Sequence, residues 1–291
     1  MNINMKNLIA ITLVAVLGIG CAVAQPYVRA TFGYGFNIGQ TADGTDITVA
    51  DNGDITSKVN TYSLGGGLPL GIAAGYMFNE NLGAELGINY LLGSTVETTK
   101  FSQTGNSTTV ETYTRQLRFN PSLVFTSANE DFNVYGRVGL VIPIIGKTIS
   151  EGETNINAII DTVDMVPDSR IRKFKIENEG KISLGYSAAT GVTYSLTDAL
   201  EIFGEVELIS LAVRKDNQNY VEYEEVTTLT SGSSQTVTLD MLPEIIKVTE
   251  FETELKNGGN SDPTKAAQEL TSYTPFNKIG INIGIKYTFG N

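Results

Sequence analysis

Apolar and polar side chains alternate with a period of two over much of this sequence. The clearest example is Leu68–Leu92, in which two alternating runs flank the polar turn 79–81. The second run places Leu86 and Tyr90 on one face and Glu85 on the other. A period of two predicts β-strands rather than helices. The runs are long enough to cross a bilayer as tilted strands, which takes about 9–11 residues.

The alternation recurs in eight segments joined by alternately long and short connections. The predicted strands are Tyr27–Ile38, two strands of a hairpin between Tyr62 and Phe101, Val110–Thr126, Phe132–Lys147, Lys181–Ser195, Leu200–Arg214 and Lys278–Phe289. The predicted loops are 39–60, 102–108, 148–178 and 215–276, and the predicted turns are 79–81, 127–131 and 196–199. Within the last loop we expect strand extensions at Tyr220–Leu229 and Thr236–Leu242 and a short helix at Pro263–Leu270.

Long loops on one side and short turns on the other are typical of an outer-membrane barrel. The predicted fold class is therefore all-β: an eight-stranded antiparallel up-and-down transmembrane β-barrel with long extracellular loops. Because an open sheet edge in lipid would leave backbone groups unpaired, we expect the last strand to close on the first.

The polar face of each strand is predicted to point into the barrel lumen, since hydrocarbon cannot solvate charge. The predicted lumen charge network consists of Arg29, Glu85, Arg118, Arg137, Glu201, Glu205, Glu207 and Lys286. An eight-stranded barrel is just wide enough to be filled by side chains, so this network is interpreted as structural. The alternatives are a gated ion path through these charges or a narrow water-filled channel beside the lumen glycines.

Aromatic side chains gather near the short-turn ends of the strands. They are interpreted as an interfacial girdle, the alternative being ordinary cross-strand pairing. The predicted girdle consists of Tyr27, Tyr76, Phe78, Phe125, Phe132, Tyr194, Tyr287 and Phe289.

Residues 1–24 have the pattern of a secretory signal peptide, with Lys6, an apolar run and the small residues of a cleavage site at Ala22–Ala24. Residues 25–291 then form the barrel domain. A membrane anchor is the alternative, but the apolar run is short for a spanning helix. Cys21, the only cysteine, could be a lipidation site, although the usual preceding leucine is absent.

The formal net charge of −12 argues against nucleic acid as a partner. The sequence contains no histidine, which disfavours a Ser–His hydrolase and transition-metal sites. We predict no enzyme activity, cofactor or resident metal. Asp43, Asp46, Asp51 and Asp54 suggest a calcium site with oxygen ligands, the alternative being plain turn chemistry.

These features resemble the small outer-membrane barrels, namely the transmembrane domain of outer membrane protein A and the outer membrane protein X and W types. The resemblance covers residues 25–291 and is carried by the topology, by the turn phrase Phe78–Gly87 and by the closing segment Asn282–Phe289. That segment is similar to the C-terminal aromatic signal read by the barrel-assembly machinery, although Gly290 and Asn291 follow it.

The resemblance implies a protein of the Gram-negative outer membrane whose partners are membrane lipid and the barrel-assembly machinery. The first hypothesis is a monomeric scaffold whose extracellular loops contact a host or envelope protein, for adhesion or envelope structure. The second is a porin-like conduit for small or hydrophobic solutes, as in the outer membrane protein W type. The third is a soluble calycin-like barrel with its apolar face inward.

Overall fold

The computed structural model describes residues 25–39, 41–127, 132–157, 167–229, 232–255 and 258–290. The predicted signal peptide, Cys21 and the side chain of Asp43 lie outside the residues so described. Seventeen β-strands make up most of these segments: β1 (Gln25–Asn37), β2 (Thr41–Val49), β3 (Ile55–Tyr62), β4 (Gly67–Met77), β5 (Leu82–Gly93), β6 (Val96–Gln103), β7 (Asn106–Thr126), β8 (Phe132–Ile156), β9 (Pro167–Gly180), β10 (Gly185–Ser195), β11 (Leu200–Ser210), β12 (Ala212–Leu229), β13 (Ser234–Thr238), β14 (Val248–Glu252), β15 (Ala267–Leu270), β16 (Tyr273–Pro275) and β17 (Lys278–Thr288).

Helical structure in the described chain is confined to a 3-10 turn, Leu239–Met241, and one short helix, α1 (Glu244–Lys247). No helix in these segments is long and apolar enough to cross a membrane.

Eight of the strands pair in a closed antiparallel circuit. Its order is β1, β4, β5, β7, β8, β10, β11 and β17, and β17 returns to β1. The closing ladder runs from the pair Tyr27–Thr288 to the pair Asn37–Lys278, so the last of these strands does pair with the first, as predicted. We call this circuit the ring and the space within it the lumen.

The two faces of the ring differ in polarity. Large apolar side chains such as Phe32, Ile72 and Ile283 are exposed on the outside, whereas charged side chains such as Arg29 and Glu205 are buried on the inside. This is the arrangement that a lipid solvent requires. The calycin-like hypothesis, with its apolar face inward, is therefore wrong for the described chain.

The all-β class is confirmed, but seventeen strands replace the eight expected for the whole chain. The predicted loop 39–60 forms the hairpin of β2 and β3, and the predicted loop 148–178 holds the end of β8 and β9. The predicted loop 215–276 contains most of β12 together with β13–β16. These segments carry polar residues on both faces because both meet water, so they lack the alternation that marks a strand.

Two smaller predictions are wrong. A helix is expected at Pro263–Leu270. The structure instead has the strand β15 in the second half of this segment, and β15 pairs in parallel with β14. The strand predicted to begin at Lys181 begins at Gly185, because residues 181–184 leave the ladder and Lys181 N donates to Arg214 O, 2.8 Å away.

Beyond the ring, the sheet continues on the side opposite the short turns. The outer half of β7 pairs with β6, the outer half of β8 pairs with β9, and β9 pairs with β12. We call the segments 96–114, 147–156, 167–180 and 214–229 the extension sheet.

Candidate functional site

The lumen contains a buried ion network that joins five strands of the ring. Glu205 on β11 lies at its centre, with Oε1 2.8 Å from Arg137 Nη2 and Oε2 3.0 Å from Arg29 Nη2. Glu85 on β5 faces the same two arginines, 3.5 Å from Arg29 and 3.7 Å from Arg137. Two carboxylates and two guanidinium groups thus alternate across the lumen. Each buried charge therefore has a partner of opposite sign, which offsets the cost of removing it from water.

Hydrogen bonds from neutral side chains complete this arrangement. Tyr135 Oη donates to Glu205 at 2.7 Å, and Tyr27 Oη donates to Glu85 at 3.1 Å. Asn282 Nδ2 donates to Glu205 at 3.0 Å. These donors add hydrogen bonds from neutral groups to the ion pairs of both carboxylates.

A second carboxylate on β11 extends the network away from the short turns. Glu207 Oε1 lies 3.2 Å from Arg137, and Glu207 Oε2 lies 2.9 Å from Lys278 Nζ. Lys278 is almost fully buried and was absent from the predicted network. Its parity along β17 matches that of Asn282 and Lys286, so the alternation could have identified it.

Glycines opposite the lumen aromatics make room for this packing. Tyr27 is paired with Gly75, Tyr135 with Gly191, and Phe203 with Gly284. In each pair, the aromatic ring fills the space that a Cβ on the glycine would need. Lumen glycines therefore accommodate rings, and two of these rings carry the hydroxyl groups that bind Glu85 and Glu205.

The structure separates the eight predicted network residues into three groups. Five of them meet in the central network: Arg29, Glu85, Arg137, Glu205 and Glu207. Glu201 and Lys286 form their own ion pair, 2.8 Å apart, near the short-turn end. Arg118 is buried within the lumen but forms no ion pair with a described carboxylate at 4.0 Å or less; its Nε donates to Gln116 Oε1 at 2.5 Å.

Two cavities border the network. A vestibule of about 480 Å³ lies on the short-turn side and is lined by Glu201, Lys286 and the turn residues Asn79, Glu80 and Ser127. A small cavity of about 20 Å³ lies on the other side of the network, where Arg118, Asn89 and Asn120 line it.

An apolar plug closes the lumen beyond the small cavity. Its buried members are Leu64, Val141, Ile209, Leu211, Val213 and Phe276. The segments that lead into β4 and β17 fold inward here, since Leu64 N donates to Pro275 O and Phe276 N donates to Leu211 O. The lumen is therefore filled first by ions and then by hydrocarbon side chains.

Seven of the eight predicted girdle residues lie on the outer surface or near its edge, and Tyr76–Phe78 and Tyr287–Phe289 form ring contacts at 5.7 and 5.1 Å. Phe125, Phe132 and Tyr194 are also exposed. Tyr27 is different: it is 3% exposed and points into the lumen, so it is a network residue and not a girdle residue. Tyr27 lies two residues before Arg29 on β1, so the alternation already places both side chains on the inward face.

The predicted calcium ligands are spread along the β2–β3 hairpin. Asp51 and Asp54 flank its turn, where Asn52 Nδ2 donates to Asp54 at 2.6 Å and Thr104 Oγ1 donates to Asp51. Asp46 lies farther down β2, opposite Lys58. Within the described segments, no group of three or more acidic, histidine or cysteine residues is arranged to hold a metal.

The sequence also matches a family model. Residues 11–232 match the outer membrane protein beta-barrel domain. The chain belongs to this family. The match places the protein in the outer membrane and agrees with the exposed apolar surface of the ring.

Several solved structures are distantly similar to this outer-membrane protein. OprG from Pseudomonas aeruginosa shares 13% identity at a TM-score of 0.41, with 94% of this chain and 99% of that chain covered. A major outer membrane protein from Thermus thermophilus shares 13% identity at a TM-score of 0.35, with 92% and 100% covered. Ail, the attachment invasion locus protein of Yersinia pestis, shares 11% identity at a TM-score of 0.26, with 91% and 97% covered. No curated protein sequence matches the chain.

Proposed function

We propose that this protein is a surface-recognition scaffold, in which the eight-stranded ring spans the outer membrane and the extension sheet contacts a host or envelope protein. The observation that carries the proposal is the contrast between the two parts. Ions and apolar side chains fill the lumen at successive levels, while the extension sheet presents patterned charge to solvent. The proposal includes no catalytic step, in keeping with a sequence that lacks histidine.

The charge pattern of the extension sheet has a basic strand between two acidic ones. Lys175 on β9 lies 3.0 Å from Glu151 on β8 and 3.8 Å from Glu222 on β12. Lys173, its neighbour on the same face, lies 3.7 Å from Glu153. These groups line an open groove of about 680 Å³ on one face of the sheet.

Solvent-exposed ion pairs of this kind contribute little to folding stability, because water and salt screen them. A partner with complementary charge can therefore exchange them for intermolecular pairs at small cost. Such complementarity acts mainly on specificity and association rate. We infer a partner surface that itself carries both signs of charge, as protein surfaces do.

The test is adherence of cells that display the full chain to cultured host cells and to immobilised extracellular-matrix proteins. We expect the double variant Lys173→Glu/Lys175→Glu to reduce adherence while surface expression stays unchanged. The matched control is Lys265→Glu, which alters an exposed lysine 3.6 Å from Asp262 outside the groove. Equal adherence with and without the chain on every surface would count against the proposal.

A second candidate, a conduit for small or hydrophobic solutes, is favoured by one feature of the wall. β8 pairs with β10 only as far as Val141, and it pairs with β9 only from Lys147 onward. Between these ladders, Ile145 and Ile182 are exposed beside a depression that is lined inside by polar groups such as Gln116 and Asn178. A solute that enters the barrel from the extracellular side could pass sideways through this gap in the wall into the membrane, without crossing the ion network.

Planar-bilayer conductance and uptake of a hydrophobic dye into proteoliposomes distinguish the two candidates. The scaffold predicts a silent bilayer for the native chain and no dye uptake. Dye uptake without conductance would favour the lateral route. Conductance that changes in Arg137→Ala or Glu205→Ala would instead favour an axial path through the network.

A further inference from the structure

The small cavity between the ion network and the plug has an uneven set of charges. Four cations line it, namely Arg29, Arg118, Arg137 and Lys278, against three carboxylates, Glu85, Glu205 and Glu207. The carboxylates are already engaged by Arg29, Arg137 and Lys278 at 2.8–3.7 Å. The described lining therefore carries one excess positive charge.

Arg118 is the cation left over. It is 3% exposed, and within the described chain its Nη2 has no hydrogen-bond partner. Its Nε is satisfied by Gln116, and its Cζ lies 5.9 Å from the centre of the Phe276 ring. A buried guanidinium group that retains its charge without a counter-charge is strongly unfavourable.

The cavity beside Arg118 has suitable size and donors for a counter-ion. Its volume of about 20 Å³ has room for a single water-sized species. Lys278 and Asn120 border it together with Arg118, and the amide of Asn89 donates to Asn120 at 2.9 Å. The described lining thus combines cationic and amide side chains with a net positive charge, and Arg118 Nη2 is a donor in it that remains without a partner.

We propose that this cavity binds one small monovalent anion, of the size of chloride, against Arg118. The anion neutralises the excess charge, and the plug and the ion network shield it from solvent on both sides. The site is distinct from the extension sheet, so it stands or falls independently of the proposed recognition function.

The test is the stability of the full folded chain in detergent, measured as the urea midpoint of its heat-modifiable gel shift. Chloride is compared with gluconate, a bulky anion, at matched ionic strength and pH. For one saturating site, each tenfold rise in chloride should raise the folding equilibrium constant up to about tenfold. A chloride effect no larger than the gluconate effect would overturn the proposal and leave the cavity to water.

Variants separate the anion site from general salt effects. Arg118→Gln should lose the chloride dependence and should be at least as stable as the native chain in gluconate, because the unpaired charge is gone. The matched control, Lys286→Gln, alters a lumen cation that has its own carboxylate, and it should keep the dependence. Equal chloride dependence in Arg118→Gln and the native chain would also overturn the proposal.

A structural readout requires no variant. Crystals of the native chain grown in bromide should show an anomalous peak within hydrogen-bond distance of the Arg118 guanidinium group. A cavity without such a peak, at bromide concentrations that saturate the stability effect, would contradict the assignment.

Discussion

Lys278 Nζ lies 2.9 Å from Glu207 Oε2, diagonally across the ladder between β17 and β11. The contact joins the last strand of the ring to its neighbour at a level where both side chains are almost fully buried. It lies between the central carboxylate Glu205 and the cavity beside Arg118. The pair therefore connects the ion network to the charge that lacks a counter-ion.

Replacing Lys278 should reveal how tightly this pair is coupled. Lys278→Met removes the charge but keeps a long apolar stem, and it leaves Glu207 with Arg137 as its remaining cation. We expect a loss of folding stability that the double variant Lys278→Met/Glu207→Gln partly restores. A double-mutant cycle on urea midpoints should give a coupling energy of about 1–3 kcal/mol. A value near zero would mean that the two charges do not interact in the folded chain.

The central carboxylate should matter more than the peripheral one. Glu205→Gln leaves Arg29 and Arg137 short of negative charge in a sealed layer, which typically costs about 3–5 kcal/mol. The chain contains no tryptophan, so unfolding is best followed by gel mobility or circular dichroism. The matched control is Glu201→Gln, whose ion pair with Lys286 is partly exposed and should cost about 0–1 kcal/mol. Equal costs for the two variants would contradict a shielded central layer.

Alternation along the strands indicates which face a residue lies on, but it cannot set the height of that residue along the barrel. Arg118 and Arg137 share the inward face, yet on β7 the partner of Arg137 is Val124 whereas Arg118 is opposite Pro143. Six residues along a strand separate the two backbones by about 20 Å, so that only the ends of these long side chains reach the same cavity. The stagger between strands decides which charges meet, and no local pattern encodes it. For this reason the sequence predicts Arg118 as a member of a network with which it forms no ion pair among the described residues.

The same alternation does not predict the strands of the extension sheet. β9 carries Arg172 on one face and Lys173 on the other, and both faces are accessible to water. With no apolar face, a strand loses its period-two signal and looks like a loop. Ion pairs between neighbouring strands, such as Lys175 with Glu151, connect these strands in place of a buried apolar face. Such pairs can be identified only when the register of the strands is known.

The plug should govern the stability of the folded chain, whereas the ion network should keep the lumen closed without it. Phe276→Ala removes a fully buried ring, which should cost about 3–5 kcal/mol and open a cavity above the ion network. Bilayer conductance should stay low, because the ion network still fills the lumen. Tyr273→Ala, three residues away on β16 and exposed, is the matched control and should change neither quantity. High conductance in Phe276→Ala would show that the plug alone closes the lumen.

Acid should loosen the extension sheet through Glu225 on β12. Burial raises the pKa of this carboxyl group, but hydrogen bonds from Arg172 Nε at 2.7 Å and from Tyr223 Oη at 3.1 Å outweigh burial, and its pKa falls below the ordinary 4.5. Because the pKa of Glu225 is lower in the folded than in the unfolded chain, its ionised carboxylate stabilises the sheet at pH values above the unfolded-state pKa. This stabilisation is lost as the pH falls below 4.5 toward the folded-state pKa.

We therefore expect hydrogen exchange of the β9 and β12 amides, corrected for intrinsic rates, to accelerate as the pH falls through that window while the ring amides stay protected. Glu225→Gln should show faster exchange already at neutral pH and a flatter acid response, because its side chain no longer titrates. Glu222→Gln is the matched control, since its carboxylate lies 3.8 Å from Lys175 and is well exposed, and it should resemble the native chain. Identical acid responses in Glu225→Gln and the native chain would assign the effect to another carboxylate of the sheet.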